Sequence, residues 1–396
     1  MANQRPVFPS HTMSPRTLLG PGPSMVHPRV LASMSAPLIG HLDPEFLTLM
    51  DRLQELLRYT FETRNRLTVP VSGTGSAAME AAVANMVEPH DPVLVCINGV
   101  FGGRIAEMAR RYGAEVETIS RRWGEVFDVG EIADALDRRP AKIVAIVHAE
   151  TSTGALQPLD DLAQVVHEHD GLLIVDAVTS LAGTTVAVDD REIDVCYSGS
   201  QKCLSCPPGL GPITLGERAV AKLNGRAKPV RSWYLDLAMV DRYWGRERTY
   251  HHTAPISMNF ALYEALRLVA EEGLGARWAR HQRNAQLLWA GLEDLGLTLH
   301  VADPARRVPS LTTVRVPDGV DEANVRGQLL SEYGIEIAGG MGDLKGRIWR
   351  IGLMGYSSRE ENVVLLLAAL RRILRVTAGG RPSKTQVVVK HGAATS

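Results

Sequence analysis

Apolar residues fall into two recurring patterns along the chain. Phe46, Leu49, Met50, Leu53, Leu56 and Leu57 repeat at helical spacing, which predicts an amphipathic helix over Glu45 to Arg58. Short, nearly unbroken apolar runs predict buried strands at Val93 to Ile97, Lys142 to Val147, Gly171 to Val178 and Ile193 to Tyr197. A small-residue helix from Ala77 to about Val87 and a crossover helix from Asp160 to His169 lie between them. This β-α-β alternation from Ala77 to Ile213 predicts a mainly parallel sheet with helices on both faces. A long helix from Ala261 to Glu272, continuing in broken form to Leu295, would then lead into a smaller domain. That domain contains strand candidates at Thr312 to Val316, Gly334 to Gly340 and Ile348 to Gly355, and a last amphipathic helix from Arg359 to Leu374. The predicted organisation is an arm (1–18), a large domain (19–272), a small C-terminal domain (273–376) and a disordered tail (377–396).

Composition narrows the class. The chain has 396 residues, 45% of them hydrophobic and 22% charged, and a net charge of -1, which is ordinary for a globular protein with room for two cores. Near-neutral charge gives no support for nucleic acid or an anionic membrane as partner. No apolar run is long enough to span a bilayer. Met1 to Arg16 lacks the apolar core of a signal peptide, and Ala394-Thr395-Ser396 is not a peroxisomal tripeptide. Cys96 and Cys196 sit in apolar strands and read as small core residues. Cys203-Leu204-Ser205-Cys206 has C-x-x-C spacing without a second pair or a histidine cluster, so no metal is expected there. It reads as a redox-sensitive pair or as two reduced loop cysteines, and a reducing cytoplasm is the expected location.

Candidate chemistry centres on Ser198-Gly199-Ser200-Gln201-Lys202, just beyond the strand candidate that ends at Tyr197. Small neighbours let a flat group approach Lys202, and a desolvated lysine loses its proton readily enough to act as a Schiff-base nucleophile. The run from Gly171 ends in an acid, Asp176, at the carboxyl end of a predicted parallel strand, where open α/β sheets bind ligands. Such a carboxylate can pair with a protonated pyridine nitrogen. Val71-Ser72-Gly73-Thr74-Gly75-Ser76 is a Gly/Ser/Thr turn opening a helix, a ready anion site through its free N–H groups and the helix dipole.

Asp176-Ala177-Val178 followed by Ser198-Gly199-Ser200-Gln201-Lys202 resembles the class V aminotransferases of fold type I, nearest the alanine–glyoxylate and serine–pyruvate group, and the resemblance runs from about Leu19 to about Leu374. It implies an α/β fold with a mainly parallel seven-stranded-type sheet, a smaller α+β C-terminal domain, and pyridoxal 5'-phosphate (PLP) on Lys202 as a Schiff base. By the same resemblance, Asp176 pairs with the cofactor ring nitrogen, with Val178 close by. Thr74, Gly75, Ser76 and Gln201 serve the phosphate. Several eukaryotic relatives have histidine in place of Ser76. Phe101 stands where relatives put a ring-stacking aromatic, often tryptophan, and Thr153 where a hydroxyl approaches the phenolic oxygen. Tyr250 and Thr253 would reach the phosphate of a partner subunit, making the active site shared and the homodimer obligate. Arg350, in the run Arg350-Ile351-Gly352-Leu353-Met354-Gly355, would bind the substrate α-carboxylate as a fork. The loop Gly20-Pro21-Gly22-Pro23, poor in N–H donors, would begin a segment lining the mouth of the site.

The chemistry so implied is ping-pong transamination of a small amino acid, alanine or serine, with glyoxylate or pyruvate as acceptor. No second arginine stands out for a side-chain carboxylate, which disfavours glutamate and aspartate as donors. A specialised-pathway aminotransferase, such as an aminophosphonate one, and a PLP-dependent lyase or desulfurase share the fold. A desulfurase needs a mobile catalytic cysteine, and none lies near Gly339 to Arg350. A non-catalytic binding protein on this fold would not need the lysine. His148 reads as a packing residue at a strand end, and Glu150 as structural. His251 and His252 read as structural too, since adjacent side chains of an extended segment point opposite ways.

Overall fold

The computed structural model describes residue 8 and residues 12–378. Seven strands form the central sheet: β1 (Leu67–Ser72), β2 (Pro92–Ile97), β3 (Glu115–Ser120), β4 (Ile143–Val147), β5 (Leu172–Asp176), β6 (Val195–Tyr197) and β7 (Leu210–Leu215). Their order is β1-β7-β6-β5-β4-β2-β3. Strand β7 runs antiparallel to β1 and β6, and the remaining neighbours pair in parallel. β1 and β2 to β6 therefore end at the same edge of the sheet. Every residue of β4 to β7 is buried, which is why these strands read as unbroken apolar runs.

The sequence pattern left β1, β3 and β7 unassigned: β7 is interrupted by Gly211 and Pro212, and the other two have reasons of their own. β3 is an edge strand whose residues are part-exposed, so its composition, Glu115 to Ser120, is polar. β1 contains Pro70, which normally argues against a strand. Pro70 lies directly opposite Pro212 of β7, so the two missing N–H donors coincide at one step of an edge pairing.

Helices cover the sheet. α1 (Pro44–Phe61) starts at Asp43, whose side chain accepts from the Glu45 N–H at 2.8 Å, and buries Phe46, Met50, Leu53, Leu57 and Phe61 along one stripe. α2 (Gly75–Met86) is rich in alanine because it lies hard against the sheet: a Cβ on Gly211 of β7 would come within 2.7 Å of Ala78 Cβ. α3 (Val100–Arg111) follows β2. α4 (Ile256–Glu272) and α5 (Leu274–Asp294) are separated by Gly273 at φ +80°, the expected break in the long helix.

A second hydrophobic core forms around a three-stranded antiparallel sheet, order β8 (Leu311–Arg315), β10 (Ile348–Gly352), β9 (Ala338–Gly339). α5 and the last helix, α6 (Glu360–Ala378), pack on it. The expected tail from residue 377 begins inside α6, and residues 379–396 lie outside the described residues, as do most of residues 1–11. Residues Thr17–Leu18, predicted as the end of an arm, form a strand paired in parallel with Ile335–Glu336, and Leu19 is fully buried in the second core. The chain thus enters the small domain first, crosses to build the large one, and returns. Among the described residues no helix is long and apolar enough to cross a membrane.

Leu19 has one short stretch of chain to hold it in place. Leu19→Ala is expected to lower unfolding free energy by about 3 kcal/mol through loss of burial and an unfilled cavity, read as a shift of the denaturant midpoint at constant slope; a shift below a quarter of that would show the N-terminal stretch to be only loosely docked.

Candidate active site

The carboxyl ends of the parallel strands bring the large-domain candidates together. Asp176 ends β5 and is 2% exposed. Its Oδ1 accepts from Val178 N at 2.9 Å, and its Oδ2 accepts from the Tyr197 hydroxyl at 3.0 Å. Burial pushes its carboxyl up to about 7 against the effect of those two donors. Lys202 is 8% exposed, and its Nζ donates to the Pro21 carbonyl. Desolvation lowers its amine to about 8; the nearby charges of Arg350 and Arg104 act in the same direction. Gly22, at φ +106°, packs on the lysine stem: a Cβ there would sit 2.7 Å from Lys202 Cδ. The Gly-Pro-Gly-Pro loop is therefore a wall of the lysine pocket, and the glycine between two prolines was the signal for it.

Two helix N-termini open beside this pair, and they differ. That of α3 is closed: Glu150 Oε2 accepts from Phe101 N at 3.1 Å and Ser152 Oγ accepts from Val100 N at 3.0 Å. Glu150 is fully buried, and desolvation raises its carboxyl. That of α2 is open: Thr74 makes no side-chain capping bond, and Thr74 and Ser76 are exposed. Gly75, Gly199, Val178 and Gln201 crowd this open end. A Cβ on Gly75 would be 3.3 Å from Gly199 Cα and 3.5 Å from Val178 Cγ2, and one on Gly199 would be 2.9 Å from Gln201 Oε1. That Gln201 oxygen is buried with no hydrogen-bond partner among the described residues.

Arg350 reaches in from β10. Its Nε donates to the Gly339 carbonyl at 2.7 Å and its Nη1 to the Thr151 carbonyl at 3.4 Å, which leaves Nη2 unengaged among the described residues. Phe101 lies in the first turn of α3 with the Arg104 guanidinium 4.7 Å above its ring. Arg104 is a second arginine close enough to act on Lys202, and it was legible only as the i,i+3 neighbour of Phe101. Tyr197 also escaped the sequence reading, where it passed for a core aromatic at the end of a strand.

The other candidates lie further off. Thr153 is buried in a tight turn. Its hydroxyl accepts from Ala155 N at 3.4 Å and its carbonyl from Thr313 Oγ1 at 2.7 Å, while its neighbour Thr151 is the one that touches Arg350. Tyr250 is exposed, its hydroxyl 3.3 Å from Thr253 Oγ1 and its ring against His41. His251 and His252 do not point opposite ways: their Nδ1 atoms are 2.8 Å apart, because residues 250–253 form no strand and the two rings pack against Trp233 and Tyr234. No cluster of three or more metal-ligating side chains occurs among the described residues. His148 is buried, and desolvation drives it down to about 3, so it stays neutral. All four cysteines are free and buried.

This assembly is that of an aminotransferase of fold type I. The chain belongs to the class V aminotransferases, whose family model matches residues 18–361. It is 43% identical over 377 residues to the (S)-ureidoglycine–glyoxylate transaminase of Bacillus subtilis (strain 168), covering 91% of this chain and 90% of that one. It is 42% identical to the alanine–glyoxylate aminotransferase of Oryctolagus cuniculus, covering 91% and 93%. The crystal structure of an alanine–glyoxylate aminotransferase from Nostoc sp. superposes with a TM-score of 0.93 at 53% identity, covering 94% of this chain and 99% of that one.

Class V aminotransferases depend on PLP, and the residues present fit it. An uncapped helix N-terminus floored by glycines suits a phosphate, a buried carboxylate suits a pyridinium, and the Lys202 amine is desolvated. Only the neutral amine attacks an aldehyde. Uptake of PLP by the apoprotein should therefore climb about tenfold per pH unit and level off near pH 8. Stopped-flow absorbance measures this; a rate still climbing through about pH 10, where an ordinary lysine titrates, would show Lys202 to be solvated.

Proposed function

We propose that this chain transfers the amino group of alanine or serine to glyoxylate or pyruvate in ping-pong fashion. The observation that carries the reading is the meeting, in one buried site, of a deprotonatable lysine and an arginine with a free edge. The names of the alanine–glyoxylate relatives support glyoxylate as acceptor.

Thr74, Gly75, Ser76 and Gln201 would hold the phosphate, Asp176 the ring nitrogen, and Lys202 the aldehyde carbon. PLP when bound supplies an electrophilic carbon and an electron sink. Arg350 presents Nη2 to the α-carboxylate of the donor, its plane held by the Gly339 and Thr151 carbonyls. Lys202, with its amine free, would serve as the base that takes the proton from the donor Cα and as the acid that returns it. An amine lowered to about 8 can do both near neutral pH. Asp176, held in place by Val178 N and the Tyr197 hydroxyl, would be ionised when paired with a protonated ring nitrogen. The Pro21-Gly22 wall limits water around the amine.

A homodimer in a reducing cytoplasm completes the reading. Tyr250, Trp233 and Tyr234 are all exposed, aromatic surface apt for a second copy. A second donor class, with a polar group beyond Cα, is favoured by Arg104, which has no acidic partner among the described residues, and by the ureidoglycine relative.

Alanine or serine added alone should bleach the yellow holoenzyme, and glyoxylate should restore the colour. Bleaching by ureidoglycine but by neither of them would move the assignment to the second class. Arg350→Ala should raise KM for every α-carboxylate donor about a hundredfold; steady-state kinetics with an unchanged KM would place carboxylate recognition elsewhere.

A further inference from the structure

Beside the helix break at Gly273 lies a group of charges that the chemistry above does not use. Glu272, the last residue of α4, receives two guanidiniums. Arg277 Nη1 lies 2.7 Å from its Oε2; Arg280 Nε lies 2.5 Å from its Oε1 and Arg280 Nη2 lies 3.0 Å from its Oε2. Each arginine directs its remaining donors to a different part of the protein. Arg277, 5% exposed, donates through Nη2 to the Cys203 carbonyl at 2.6 Å and through Nε to the Ala182 carbonyl at 3.2 Å. Cys203 is the residue after Lys202. Arg280 donates through Nη1 to the carbonyls of Gly355 at 3.0 Å and Ser358 at 2.5 Å, in the turn that follows the Arg350 strand. His281, next along α5, accepts from Gly355 N at 2.9 Å. The lysine loop and the turn also meet directly, where Ser205 Oγ accepts from Tyr356 N at 2.7 Å.

A guanidinium is a rigid planar fork, so whatever fixes its plane fixes the positions of the groups it holds. One carboxylate fixes both planes here. Burial pushes the Glu272 carboxyl up, but the hydrogen bond from Arg280 and the charges of both arginines more than offset this, so it stays ionised. Without that negative charge, a buried and a half-buried cation one helical turn apart would face each other, and each would draw its carbonyls toward itself as compensation.

We propose that Glu272 is a positioning residue for the reaction: through Arg277 and Arg280 it sets the separation between the Lys202 loop and the Arg350 strand. The donor Cα must lie between the Lys202 amine and the group that holds its carboxylate, so this separation decides whether the proton is within reach. The proposal rests on the assignment of Arg350 to the substrate α-carboxylate.

The test uses holoenzyme carrying Glu272→Gln, with and without Arg350→Ala. The dissociation constant of propionate, which has the carboxylate but no amine to react, is measured by calorimetry, and KM and kcat are measured for alanine. Glu272→Gln should weaken propionate and raise the alanine KM about tenfold. In the Arg350→Ala background it should add less than about twofold, because the group it positions is gone. Fully multiplicative effects, or a lowered melting temperature with propionate affinity unchanged, overturn the proposal and leave the Arg350 assignment standing. If Arg350→Ala alone changes neither propionate affinity nor KM, the assignment fails and the proposal with it. Should Glu272→Gln not fold, Arg280→Lys, which keeps the charge but loses the fork, is measured in its place against the same outcomes.

Discussion

Asp176 and Tyr197 are register partners in the parallel ladder of β5 with β6. That pairing delivers the Tyr197 hydroxyl to the Asp176 carboxylate, and the rest of the site depends on it. A one-residue slip would turn Tyr197 to the opposite face of the sheet and leave a buried carboxylate with a single backbone donor. The acid is already at the edge of what burial allows, pushed up to about 7. A cation set against it returns it to the ionised form. On the proposed reading protein and cofactor would relieve each other: the ring nitrogen needs a carboxylate to keep its proton, and the carboxylate needs a positive neighbour to keep its charge.

Around that pair the fold separates its polar functions. Glu150 closes the N-terminus of α3, so an anion entering the site meets one open helix end, that of α2. Glycines at positions 75 and 199 keep that end shallow. On the proposed reading carboxylate recognition falls to the second core, on a strand whose arginine is steadied by the Gly339 and Thr151 carbonyls. Such a division works only if the two domains keep a fixed distance, which gives the Glu272 cluster its importance.

Much of this was legible in the residues. Buried parallel strands are apolar throughout, so β2, β4, β5 and β6 stood out, and the Asp176 and Lys202 motifs fell at their ends. β1, β3 and β7 did not: an edge strand may carry glutamates and prolines without loss, and Gly211 and Pro212 interrupt the apolar run of β7. Side-chain partners at long range were the main omission. Tyr197 reads as one more apolar residue until β6 lies beside β5. Arg277 and Arg280 carry no signal in the sequence; their role shows only when the lysine loop and the 355–358 turn are brought against the helix. His251 and His252 were misjudged because alternation holds for a strand, and residues 250–253 are not one.

The pairing of Thr17–Leu18 with Ile335–Glu336 has a consequence for how the protein comes into being. Residues 17–22 leave the ribosome early, yet their hydrogen-bonding partners are translated near the end of synthesis. Until then the large sheet can fold, and the Pro21 carbonyl is tied over the Lys202 amine from one side only, by Ser24 on the Gln201 and Lys202 carbonyls. The second tie forms when the chain closes on itself, so a product truncated before residue 335 would carry the lysine under a wall held at one end.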